Sequence, residues 1–324
     1  MVFDVFGMCN ALVDVQAKVD EAIIRELGLQ KGGMFLIDEL QRCFLIERLA
    51  ERVVHSEAGG SGANTMIGVS LLGGKACYTS KVADDEHGRL YRRSLSDKGV
   101  KPNLAVGEGS TGVSFILLTP DAQRTMCTYL GASQQLRPDE VNIDDLRRSR
   151  YLYITGYMWD TESQKQAVLH AMQEANQAGV RVAFSLSDIF CVRRHKADFQ
   201  RLLEQHVDVL IGNAIEAQEL SGADNPHRAV QLLADYCDVA VVTMDSRGAL
   251  IRQGNVVHEI PAFRVEAIDA TGAGDMYAAG LLHGLCTGLS LEVAGRLAAY
   301  TAAQVVTKLG ARLDSIEVPA HVLQ

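Results

Sequence analysis

The 324-residue chain has no run of 18 apolar residues, so no membrane span is expected. It also has no C-x-x-C pair. Its seven cysteines, Cys9, Cys43, Cys77, Cys127, Cys191, Cys237 and Cys286, are an odd number and widely scattered. That pattern argues for reduced thiols in a cytoplasmic protein and against a zinc site. Positive charge is in deficit: 31 Lys and Arg stand against 40 Asp and Glu, a formal charge of −9, which disfavours nucleic acid as a partner. The short basic clusters Arg147-Arg148-Ser149-Arg150 and Arg193-Arg194-His195-Lys196 read as solvated surface. The first residues, Met1-Val2-Phe3-Asp4-Val5-Phe6-Gly7, lack a basic leader and a long apolar core, so no signal peptide is expected. Two nucleotide-binding patterns are incomplete. Gly68 to Gly73 has P-loop spacing, but Gly74 stands where the Lys is needed, and the third glycine of a dinucleotide fingerprint begun at Gly60 is replaced by Thr65. What remains is a composition of 48% hydrophobic and 22% charged residues, long enough for one large domain or a large and a small one.

Residues 268–289 place a Gly-rich turn, Thr271-Gly272-Ala273-Gly274-Asp275, directly before a helical pattern. Residues with almost no side chain let backbone N–H groups approach a ligand at the positive end of a helix, which makes an anion cradle. Asp275 beside such a cradle would repel a phosphate unless it has a separate task, and accepting a proton from an attacking hydroxyl is such a task. The helix terminus is expected to lower its pKa, which a loose phosphoryl-transfer transition state tolerates because position outweighs basicity. These residues taken alone fit an ordinary acidic first turn equally well.

The segment resembles the C-terminal signature of the ribokinase-like, PfkB-type carbohydrate and nucleoside kinases, Asp-Thr-x-Gly-Ala-Gly-Asp, with Ala270 at the second position. The resemblance implies that Gly272, Ala273 and Gly274 form the anion hole and that Asp275 is the base. A second match lies at Gly59-Gly60-Ser61-Gly62-Ala63-Asn64, where the resemblance implies that Gly59, Gly60 and Asn64 contact the acceptor. Asn10 and Asp14 fit an Asn-x-x-x-Asp pattern whose Asp grips sugar hydroxyls. Strand alternation alone would send Asp14 to solvent. Asn213-Ala214-Ile215-Glu216 is similar to the family's Asn-x-x-Glu motif, which implies that Asn213 and Glu216 organise Mg²⁺ and phosphate. Thr243, Asp245, Gly248 and Thr271 fall where the family binds ATP. A monovalent cation such as K⁺ near Asp269 and Thr271 is implied by analogy alone.

In chain order, a strand is expected over 2–7, helices over 21–27 and 39–54, a turn and strand over 32–38, and a helix entered through 58–66 and running to Leu72. Residues 111–130 read as two strands around a Pro-Asp turn, with Arg124 facing substrate, phosphate or solvent. From 151 onward strands and helices alternate as in a parallel sheet with crossover helices, including a helix over 162–178 closed by Gly179. Asp84, Asp85 and His87 read as surface or capping residues.

The expectation is an α/β, ribokinase-like three-layer domain over residues 1–324, with a central mostly parallel sheet and a small β-sheet lid from about 11–38 and 101–130. The implied activity is transfer of the γ-phosphate of ATP, with Mg²⁺, to a hydroxymethyl group. The segment 118–126 looks most like the adenosine-kinase branch, which favours a nucleoside. A sugar such as ribose, fructose or ketodeoxygluconate is the alternative, and a non-catalytic nucleotide or sugar sensor is the reading from a different class. Small-molecule substrates are the expected partners, in a monomer or homodimer.

Overall fold

The computed structural model describes residues 2–121 and 123–324. Fourteen strands among them form two sheets. In chain order they are β1 (Phe3–Met8), β2 (Leu12–Lys18), β3 (Met34–Leu36), β4 (Val53–Ala58), β5 (Ala76–Ala83), β6 (Lys101–Gly107), β7 (Thr111–Leu118), β8 (Arg124–Gly131), β9 (Ser149–Thr155), β10 (Arg181–Ser185), β11 (Val209–Asn213), β12 (Val239–Thr243), β13 (Ala249–Gln253) and β14 (Val256–Ile260). The large sheet runs β14-β13-β12-β11-β10-β9-β1-β5-β6. It is parallel from β12 to β6 and antiparallel at β13 and β14. The small sheet runs β3-β8-β7-β2-β4.

The parallel strands are apolar on both faces because helices cover both. Along β12, Val239 and Val241 enter one core while Ala240 and Val242 enter the other, and Tyr153 and Ile154 of β9 divide in the same way. Helices Glu162–Ala178 and Ile189–Gln205 pack on the second of these cores. Gly179 closes the first of the two in a left-handed conformation (φ +70°), as its position after the helical pattern predicts.

Helices Ser61–Leu71, Ala273–Cys286 and Leu291–Val305 belong to the opposite face, and small residues let them approach closely. A Cβ at Gly280 would lie 2.5 Å from Thr301 Oγ1 and 2.7 Å from Ala298 Cα. A Cβ at Gly68 would lie 2.6 Å from the Ala279 Cβ, so the glycine once compatible with a P-loop is a helix-packing residue. This contact locks Ser61–Leu71 against Ala273–Cys286 and thereby fixes the register of the polar residues at their ends.

Two boundaries differ from expectation. Residues 101–107 do not join the lid: β6 pairs in parallel with β5 in the large sheet, reached through helix Glu86–Asp97 as an ordinary crossover. The helix expected over 39–54 ends at Leu49, and Val53 opens β4, which supplies the other edge of the small sheet. Among the described residues no helix is long and apolar enough to cross a membrane.

Candidate active site

A cleft of about 1540 Å³ lies between the carboxyl ends of the large sheet's strands and the small sheet. That is where open α/β sheets bind ligands, because the strand order parts there and helix N-termini face the gap. Asn10 follows β1, Asn213 ends β11 and Thr243 ends β12, and all three line the cleft.

Asp275 is the third residue of helix Ala273–Cys286. Its Oδ1 accepts from Ser61 Oγ at 2.6 Å and its Oδ2 from Asn64 Nδ2 at 3.0 Å. Burial pushes its carboxyl above the ordinary value, and these two donors with the Arg312 guanidinium oppose that rise without cancelling it. The expected lowering by the helix terminus is therefore overruled: desolvation is the larger effect, and Asp275 is a better base than its position on the helix suggests. Gly272 caps this helix at φ +79°, with Ala311 so close that a Cβ would lie 2.6 Å from its carbonyl oxygen. The expected anion hole is modified in one respect. The Ala273 N–H is already donated to the Ala270 carbonyl at 3.2 Å. Among the described residues the Gly274 and Asp275 amides donate to no backbone carbonyl outside the helix, and a Cβ at Gly274 would meet only open space. Both residues line the cleft at the positive end of the helix.

Asp14, on β2, faces the cleft rather than solvent. Burial, with Glu57 and Asp275 adding repulsion, raises its carboxyl to about 7 against the pull of Arg312. Gly59 makes room for it: a Cβ there would sit 2.0 Å from Asp14 Oδ2. Gly60 turns the chain into helix Ser61–Leu71 at φ +89°. A carboxylate held this way is acceptor-only and suits a pair of hydroxyl donors.

Asn10 lines the cleft, with its side chain already hydrogen-bonded within the protein. It is 2% exposed, its Nδ2 donates to the Tyr157 carbonyl, and its Oδ1 accepts from Ser133 Oγ and Gln164 Nε2. Those bonds order the cleft floor and leave little for a ligand. Asn64 also lines the cleft and bridges Asp275 and Arg312.

Asn213 and Glu216 form a capping box on helix Ala214–Ser221, with Asn213 Oδ1 accepting from the Glu216 N–H and Glu216 accepting from the Asn213 N–H and Nδ2. Burial raises Glu216 to about 7, and no cationic side chain opposes that rise. A buried carboxylate on a cleft wall with no positive partner fits an oxygen-preferring divalent cation held through water. Among the described residues no three His, Cys, Asp or Glu side chains cluster as an all-protein metal cage. Thr243 and Thr271 line the cleft, whereas Asp245 and Gly248 do not. Asp245 is exposed at φ +52°, and Gly248 is buried at φ +89°, where a Cβ would lie 1.9 Å from the Ile260 carbonyl. Their spacing therefore reflects the turn between β12 and β13.

A monovalent cation at Asp269 does not fit these residues. Its oxygens accept from the Thr271 and Gly310 amides, and Arg124 from β8 forms an ion pair with it. Burial alone would raise this carboxyl, but these donors hold it below the ordinary value. Arg124 thus lines the cleft, partly exposed, with its guanidinium turned to Asp269. Ser61 and Arg312 were missed from sequence. In the sequence Ser61 is one small residue of a Gly-rich turn, and Arg312 carries no local signal at all.

A buried carboxylate fitted with two donors, beside free amides at a helix N-terminus and across from a second carboxylate, matches phosphoryl transfer to a hydroxyl. The model of the pfkB family carbohydrate kinases matches residues 39–318. The chain belongs to that family. It is an α/β, ribokinase-like kinase, a phosphotransferase with a hydroxyl acceptor of the sugar or nucleoside class. The family member 5-dehydro-2-deoxygluconokinase of Bacillus licheniformis is 30% identical over 77% of this chain and 81% of its own length. Among solved structures, an adenosine kinase from Sinorhizobium meliloti is 36% identical with a TM-score of 0.90, covering 97% of each chain. A probable sugar kinase from Rhizobium etli is 35% identical with a TM-score of 0.91, covering 97% of this chain and 96% of its own.

Proposed function

We propose that this kinase transfers the γ-phosphate of ATP to the hydroxymethyl group of a nucleoside of the adenosine kind. The observation that carries the choice is the lid. Met34, Leu36, Ile116, Leu118, Met126 and Leu130 face the cleft from the small sheet, the same sheet that carries Asp14 on β2. A ribose held at Asp14 would present its base to these side chains, and burying a flat ring there is favoured by about 25 cal/mol per Å² of apolar surface removed from water. The adenosine kinase from Sinorhizobium meliloti, at 36% identity over nearly the whole chain, supports the same reading.

In this reading Asp14 accepts hydrogen bonds from the acceptor's hydroxyls, and Gly59 and Gly60 allow the approach. Asp275 takes the proton of the attacking hydroxyl, while Ser61 and Asn64 hold its carboxylate in line. The Gly274 and Asp275 amides, with Gly272 setting the turn, face the charge that develops on phosphoryl oxygens, an effect worth several kcal/mol. Asn213 and Glu216 would hold Mg²⁺, and Thr243 and Thr271 would border the nucleotide. ATP supplies the transferred group and Mg²⁺ neutralises its charge.

A sugar acceptor is the second reading. Gln16 and the hydrogen-bonded pair Ser114 Oγ and Thr128 Oγ1, 3.1 Å apart, also face the cleft from the lid and would suit hydroxyls. The similarity to 5-dehydro-2-deoxygluconokinase agrees with it. The test is ADP release with MgATP across adenosine, inosine, guanosine, cytidine, ribose, fructose and ketodeoxygluconate. Turnover restricted to nucleosides is expected. Turnover restricted to free sugars would overturn the nucleoside assignment, and silence with ATP still bound would favour a sensor.

A further inference from the structure

Arg312 lies close enough to both Asp14 of β2 and Asp275 of helix Ala273–Cys286 to act on their charge. Its Nε donates to Asn64 Oδ1 at 2.8 Å, its Nη1 to Ser94 Oγ at 2.8 Å, and its Nη2 approaches the Gly59 carbonyl at 3.4 Å. A guanidinium can only donate, so Asn64 must turn its oxygen toward Arg312. The amide's NH₂ end is then directed to Asp275 Oδ2. Without this constraint, half a turn of the Asn64 amide would set oxygen against carboxylate and remove one of the two donors on the base. The Gly59 carbonyl, anchored by Tyr91 Oη at 3.0 Å as well, belongs to the residue on which Asp14 packs.

We propose that Arg312 is a positioning residue for phosphoryl transfer, orienting Asn64 toward Asp275 and supplying the positive charge that Asp275 and Asp14 share. This rests on the kinase reading of the site given above. The charged and titratable surroundings are few. Asp14 is faced by Glu57 from β4, by Asp275 and by Arg312. Asp275 is faced by Ser61, Asn64 and Arg312, and its own charge is felt by Cys9, Tyr153 and Tyr157 at the carboxyl ends of β1 and β9. Arg312 is the cation that opposes desolvation at both carboxylates.

The test is the pH dependence of kcat/KM for the wild type, Arg312→Gln and Arg312→Lys, with Asp275→Asn alongside. In Arg312→Gln the acid limb is expected to move up by about one pH unit while the alkaline limb stays, since losing a neighbouring opposite charge shifts a carboxylate by roughly that amount or more. Arg312→Lys restores the charge without the three-way geometry, so it recovers part of the shift. Carboxyl ¹³C titration of Asp14 and Asp275 reads the same displacement without turnover, and ATP binding reports an intact fold. An unmoved acid limb with unmoved carboxyl titrations, alongside a uniform loss of turnover, would reduce Arg312 to packing and overturn the proposal. Full turnover in Asp275→Asn would instead overturn the site reading beneath it.

Discussion

Glu216 is 5% exposed, accepts two hydrogen bonds within its capping box and has no cation opposite it. Its folded pKa, about 7, lies above its ordinary value of 4.5. A carboxyl raised in this way contributes stability that is fully present below the unfolded pKa and is lost as pH rises through the folded one. The unliganded protein should therefore lose stability between about pH 4.5 and pH 7 through Glu216, and Asp14 acts in the same direction. Glu216→Gln removes the charge but keeps an acceptor for the cap. Urea unfolding at pH 8 is expected to show the variant on the order of 1–2 kcal/mol more stable than the wild type, the two converging at pH 5. Equal stability at pH 8 would mean that the carboxylate is already balanced. Legibility in sequence divides along the same physical line. Asp14, Gly59 and Asp275 sit in short local patterns where a carboxylate or a missing side chain carries the signal. Arg312 is 248 residues from its partner Asn64, and only the folded chain joins them.

At the scale of elements, the small sheet is tied to the segment after β14 through an ion pair between Arg124 of β8 and Asp269, which lies two residues before Thr271 in the turn leading into helix Ala273–Cys286. Asp269 is almost wholly enclosed, so this pair is far less screened than one at the surface. A small sheet held over the cleft by this pair would keep water from a phosphate bound there. Arg124→Lys keeps the charge but loses the planar fork, and it is expected to raise ATP hydrolysis without acceptor at least several-fold relative to transfer. The measured quantity is the ratio of ADP to phosphorylated acceptor; a ratio of one to one in the variant would refute the latch. The hairpin carrying Arg124 was legible from its β-rich runs around Pro120 and Asp121, and helix Glu162–Ala178 from its period and Gly179. β4 was not, because Val53 continues the helical phase of the preceding segment and the strand is exposed over four of its six residues, which erases alternation. β6 merges in sequence with the neighbouring β-rich run, since pairing with β5 is a long-range choice that local propensity does not encode.

At the scale of the whole molecule, the fold brings four distant segments to one place. The loop after β1 and strand β2 supply Asn10 and Asp14, the start of helix Ser61–Leu71 supplies Ser61 and Asn64, helix Ala273–Cys286 supplies Asp275, and the C-terminal segment supplies Arg312. Close packing at Gly68 and Gly280 keeps the helices at the distance these contacts require. The central claim is that the cleft transfers phosphate with Asp275 as the base. It is tested most directly by measuring turnover and ATP binding in Asp275→Asn, using the best acceptor found for the wild type. The account predicts a loss of roughly 10²–10⁴-fold in kcat, the range expected for removing a general base, with ATP binding and thermal midpoint unchanged. Turnover within a few-fold of wild type would contradict it.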